Sequence, residues 1–308
     1  MLANISAAYG IYHGPSGLKN IATRVHGLAK VVCAGVKHYG FTVRQSHFFD
    51  TLQIDLGAKS SSAFAQECEK REINVRILGT NSIGVSVDEA TNQGHLQALI
   101  DSFAALSQKH SVPVSQFESA ASSNVIPASL TRSSPFMTHP VFNSHESETE
   151  MMRYLFCLQS KDLSLQSSMI PLGSCTMKLN AASEMIPVTW PSVGKIHPFA
   201  PLNQTKGYME MIETLGRDLA NVTGFHSISF QPNSGSQGEY AGLLCIKAYH
   251  QARGESQRDV CLIPTSAHGT NPASAVLAGM KVVVVNCDSN GSIDIEHLRA
   301  KAEEHKDK

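Results

Sequence analysis

Three stretches of the chain gather residues able to do chemistry. The first reads Gln231-Pro232-Asn233-Ser234-Gly235-Ser236-Gln237-Gly238-Glu239-Tyr240. Its small residues let the backbone approach a ligand closely, and a helix starting there aims unpaired N–H groups at that ligand. A phosphate or another anion is the expected guest; the plain alternative is an ordinary capped helix start. The spacing is not G-x-G-x-x-G and lacks the Lys-Ser/Thr of a P-loop, so neither a dinucleotide nor ATP is implied. The second stretch is Ser266-Ala267-His268-Gly269-Thr270-Asn271-Pro272-Ala273-Ser274. His268 there either satisfies a core carbonyl or lays a flat ring on a flat cofactor. The third, Gly173-Ser174-Cys175-Thr176-Met177-Lys178-Leu179-Asn180, packs a thiol, hydroxyls, an amine and an amide into one loop. No His neighbours Cys175 in that loop, which argues against a nucleophile. Lys178 either attracts a substrate carboxylate or is simply solvated.

These stretches need elements to position them. Apolar residues from Leu18 to Val36 step by three and four, the signature of one amphipathic helix. Residues 51–56 alternate as a half-buried strand, and 62–71 read as a short helix. Residues 74–78 and 83–87 are predicted to form two strands around a Gly79–Ser82 turn. Leu96, Leu99, Ile100 and Phe103 mark a further helix. This makes a small α+β domain over residues 1–107. Residues 108–150, rich in Ser, Thr, Asn and Pro, form a connecting segment docked by Phe136, Val141 and Phe142. From 151 to 308, helices are predicted at 151–159, 208–222, 236–251, 272–279 and 294–305. Strands are predicted at 228–231, 260–263 and 281–285. Helices alternating with strands imply a parallel sheet, whose ligands bind beyond the carboxyl ends of the strands. On this reading the first and second chemical stretches leave two successive strands on one side.

Composition narrows the function classes. The chain has 308 residues, with 25 Lys and Arg against 26 Asp and Glu and a net charge of −1. That balance offers no broad basic face for nucleic acid or anionic membranes. No apolar run is long enough to span a bilayer. The seven cysteines are odd in number and carry no C-x-x-C pair, which fits a reducing compartment and no structural zinc. The 14 histidines show no metal spacing, so no metal site is expected.

Taken in order, the motifs resemble one family. The run Ser168-Met169-Ile170-Pro171-Leu172-Gly173-Ser174-Cys175-Thr176-Met177-Lys178-Leu179-Asn180 is similar to the P-proteins of the glycine cleavage system. So are residues 231–242, residues 266–274, Ile11-Tyr12-His13-Gly14-Pro15-Ser16-Gly17-Leu18 and Phe48-Phe49-Asp50-Thr51. The resemblance implies an α/β architecture like that of fold-type I pyridoxal-phosphate enzymes. The small α+β domain would end a first half, and the parallel-sheet domain would open a cofactor-binding second half. It also implies decarboxylation of glycine with pyridoxal 5′-phosphate, the aminomethyl group passing to the lipoyl arm of an H-protein. By likeness, Ser234, Gly235, Ser236 and Gln237 would cradle the cofactor phosphate. His268 would stack on its ring with Thr270 close by. Ser174, Cys175, Thr176, Lys178 and Asn180 would face the substrate.

The family's Schiff-base lysine and ring-nitrogen aspartate match nothing in this sequence and are expected after Lys308. The apolar start and the final helix running into Lys308 also predict an internal piece of a longer protein, inactive alone. The complete enzyme is expected to pair halves or form a homodimer. It would sit in the mitochondrial matrix of a eukaryote, the preferred reading, or the cytoplasm of a bacterium. Two other classes remain: a non-catalytic chain binding a full-length partner, and another fold-type I pyridoxal-phosphate enzyme.

Overall fold

The computed structural model describes residues 2–122, 125–164, 167, 169 and 181–308. The chain divides into two compact units, residues 1–171 and 172–308.

The first unit opens with α1 (Leu2–His38), which continues the helix predicted at 18–36 back to Leu2. Its course breaks at Gly14, where φ is 61° and ψ is −179°, immediately before Pro15. Proline has no N–H for the helix ladder, and only glycine adopts that backbone conformation without strain. Beyond the break, Val25, Ala29, Val32 and Val36 are buried on one face. The next elements are β1 (Thr42–Val43), β2 (Thr51–Asp55), α2 (Ser61–Glu69), β3 (Arg76–Gly79), β4 (Ser82–Ser86) and α3 (Gln93–Ser107). The four strands form an antiparallel sheet in the order β1-β2-β4-β3. The alternation seen in sequence is real. Leu52 and Ile54 are buried, and they pair with buried Val85 and Ile83 across the β2–β4 ladder. Phe64, Phe103 and Ile100 from α2 and α3 close over this face together with α1. The two-residue β1, which paired residues of β2 hold in place, has no sequence signal of its own.

The predicted connecting segment contributes to this core. Val114–Ser122 forms 3-10 turns packed along α1 and buries Val114 and Phe117. A second such turn, Pro140–Asn143, carries the expected anchors Val141 and Phe142 onto α1. Phe136 sits under the Arg132 guanidinium, 5.7 Å from its ring centre. The helix α4 (Glu148–Gln159) is capped by Ser147, and His145 stacks on its Tyr154 with ring centres 4.2 Å apart.

The second unit contains the short helices α5 (Ala182–Met185) and α6 (Pro191–Gly194), then α7 (Lys206–Thr223) and α8 (Gly235–Ala252). Next come β5 (Val260–Pro264), α9 (Thr270–Leu277), β6 (Lys281–Val285) and α10 (Ile295–Glu304). β5 and β6 pair in parallel, from Val260 opposite Lys281 to Pro264 opposite Val285, with α9 as the crossover. The strand expected at 228–231 does not form; those residues are irregular, and among the described residues β5 pairs with β6 alone. A strand exists only through a ladder partner, and none is placed beside this segment. The architecture is therefore mixed α/β. Among the described residues no helix is long and apolar enough to cross a membrane.

Candidate functional site

The site is built from two helix starts. Ser234 is extended at the N-cap of α8, and its hydroxyl accepts the Gln237 N–H at 3.3 Å. Its Oγ lies 3.0 Å from the Ser236 Oγ. This satisfies one donor of the first turn; the N–H groups of Gly235 and Ser236 occupy positions for which a helix supplies no acceptor. A side chain added at Gly235 would meet nothing within 4 Å, so an incoming group can reach this backbone. The expected capped start is present, although an irregular segment leads into it instead of a strand.

The second start follows β5. The Thr265 N–H bonds the Val285 carbonyl at 2.9 Å, and the chain turns through Ser266 and Ala267 to His268. His268 Nδ1 accepts the Thr270 backbone N–H at 3.1 Å. That bond makes Nδ1 an acceptor, so the Thr270 hydroxyl, 2.8 Å away, donates to it too. His268 is exposed. Thr270, expected close to the His268 ring, contacts it through both its N–H and its hydroxyl.

Glu239, in the second turn of α8, joins the two starts. Its carboxylate accepts Asn271 Nδ2 at 3.1 Å and Ser274 Oγ at 3.3 Å, both from α9. Further along, Lys247 of α8 donates to the Ala278 and Gly279 carbonyls at the end of α9, at 2.9 and 3.0 Å. The two helices are thus tied at both ends and open their N-termini to one side. Beside them lies a cleft of about 530 Å³, lined by Glu239, Gly242, Ile246, Leu262, Ala267 and Asn271 among others.

Sequence reading passed over Glu239 and Lys247, since each acts on residues about thirty positions away. It also passed over Cys287, just past β6, whose thiol donates to Ser266 Oγ at 3.2 Å. The hydroxyls of Ser266 and then Thr265 hold that thiol below its ordinary pKa. Ser174, Cys175, Thr176, Lys178 and Asn180, expected on the substrate side, lie outside the described residues. Among the described residues no cluster of His, Cys, Asp and Glu is placed to hold a metal.

Comparison with known proteins bears on the chain as a whole. Residues 1–103 match the family model of the glycine cleavage system P-protein. A glycine dehydrogenase (decarboxylating) from Nostoc punctiforme is 54% identical over 308 residues, covering 99% of this chain and 32% of that protein. The chain spans about a third of the length of the curated relative it matches. By these two findings residues 1–103 are similar to the glycine cleavage system P-protein family, and the chain along its length is similar to part of a glycine dehydrogenase (decarboxylating).

Proposed function

We propose that this chain supplies the phosphate-contacting and ring-contacting wall of a pyridoxal-phosphate site in a fold-type I glycine decarboxylase. On this reading the complete enzyme decarboxylates glycine and hands the aminomethyl group to the lipoyl arm of an H-protein. The observation that carries it is the linked pair of helix starts: an anion cradle at Ser234–Gln237 and an exposed, oriented imidazole at His268. The donor set suits the group. Gly235 leaves space against the backbone, and the first turn of α8 offers N–H groups and two hydroxyls to a dianionic phosphate. His268 presents a flat ring that the Thr270 hydroxyl and N–H hold from swinging. When bound, pyridoxal phosphate supplies the electron sink into which a decarboxylating amino acid releases its electrons. The chain's own part would be to hold the phosphate at Ser234–Gln237 and to present the His268 ring to the cofactor.

Equilibrium dialysis of the purified chain against pyridoxal phosphate tests this. The wild type is expected to retain the cofactor. Ser234→Ala and His268→Ala are each expected to weaken retention, the latter by about tenfold at most, since ring stacking is worth about 0.5–1.5 kcal/mol. Unchanged retention by His268→Ala beside a lowered melting temperature would mark the residue as structural and overturn the stacking role.

A further inference from the structure

Glu239 touches neither helix-start N–H groups nor the His268 ring, yet it is the side chain on which both starts converge. Its two carboxylate oxygens take separate donors, Asn271 Nδ2 at 3.1 Å and Ser274 Oγ at 3.3 Å. Ser274 is buried and its hydroxyl has little freedom to find another acceptor. Asn271 sits three residues beyond His268, and its own N–H bonds the His268 carbonyl at 3.0 Å. Four residues before Glu239, Gly235 opens the anion cradle. A displacement of Asn271 therefore moves the imidazole relative to the cradle, while the cradle, internal to α8, stays as it is.

Building on the site proposed above, we infer that Glu239 is a positioning residue that sets the placement of the His268 ring against the Ser234–Gln237 anion cradle. A ligand that uses both walls, a ring bearing a phosphate, depends on that placement. A ligand that uses the cradle alone, inorganic phosphate, does not. This separation distinguishes positioning from general support of the fold, which would weaken both ligands together.

The test is two dissociation constants on the 308-residue chain, one for pyridoxal phosphate by dialysis and one for inorganic phosphate by phosphorus NMR titration. Glu239→Ala is expected to weaken pyridoxal phosphate about fivefold or more, because preorganisation is lost, and to leave phosphate within about twofold. Glu239→Gln should restore the wild-type value. Its amide oxygen still accepts the Asn271 Nδ2–H that bears on His268, and its NH₂ keeps contact with the Ser274 oxygen. Should Glu239→Ala fail to fold, Ser274→Ala removes one of the two bonds with little change of volume and is expected to show the same selective loss. Parallel loss of both ligands, or no loss of either, overturns the positioning role while leaving the site reading in place. A wild-type chain that binds pyridoxal phosphate no better than inorganic phosphate overturns the site reading and the positioning role with it.

Discussion

At the scale of single residues, hydrogen bonding decides which side chains are available to a ligand. Thr270 illustrates it: its hydroxyl proton goes to His268 Nδ1 at 2.8 Å, so its contribution to a ligand runs through the ring it orients. Thr270→Val keeps the backbone N–H bond and deletes the hydroxyl bond. Pyridoxal phosphate affinity is expected to fall by about two- to tenfold, the range of one net hydrogen bond, checked by the same dialysis. Cys68 shows a different residue-scale effect. Burial pushes its thiol up to about 11, against a lowering hydrogen bond from Ser102. A raised folded pKa means the unfolded chain ionises first. The stability this thiol confers is whole below its ordinary pKa of about 8.5 and is lost as pH climbs towards 11. Urea unfolding midpoints are expected to drop across that window for the wild type, and to drop less for Cys68→Ala.

At the scale of elements, close approach sets the tolerances. A methyl group at Gly35 on α1 would collide with Ile100 Cδ1 and touch Phe117, and Ile100 is wholly buried, so its side chain has nowhere to go. Gly35→Ala is expected to destabilise the first unit by about 1–3 kcal/mol through overpacking, measured by urea denaturation. Gly14 combines two restraints: a φ of +61° and the Phe142 carbonyl 2.8 Å from where a Cβ would lie. Gly14→Ala should loosen the 140–143 turn from α1, with faster amide exchange there as the readout. In the second unit the neighbouring starts of β5 and β6 are bridged by Lys281 Nζ and Asp259 Oδ2 at 2.9 Å. The Lys281 ammonium holds the Asp259 carboxyl below its usual pKa. Its contribution is therefore present above the ordinary carboxylate range and fades as pH falls through and below it. Asp259→Asn is expected to flatten the acid arm of the second unit's stability profile.

At the scale of the molecule, the two units differ in how much they bury. Most buried apolar side chains belong to the first unit, whereas in the second only Ile263, Ala275, Ala278 and Val285 reach that state among the described residues. On α7, Met211, Ile212 and Leu215 remain exposed. Local stability follows burial. Hydrogen exchange is expected to be slowest in β2, β4 and the buried turns of α1 and α3, and faster throughout 206–304. Slower exchange in α7 and α8 than in α3 would contradict this.

Much of the fold was legible in sequence wherever a local period or a turn residue carried it. The 18–36 stripe, the Leu52 and Ile54 alternation, the hairpin around Thr80 and Asn81, and the capped start at Ser234 each follow from residues within one or two turns of one another. The motifs of residues 231–242 and 266–274 likewise single out the two helix starts from the sequence alone. Tertiary structure decided what depends on a distant partner. Residues 228–231 have strand composition and, among the described residues, no strand beside them to pair with, while Thr42 and Val43 have no strand signature and pair with Asp55 and Ile54. Glu239 reads as one more polar residue on α8 until α9 brings Asn271 and Ser274 against it, from 32 and 35 positions away. Periodicity records which face of an element is apolar; only the packed chain determines which polar groups meet across it.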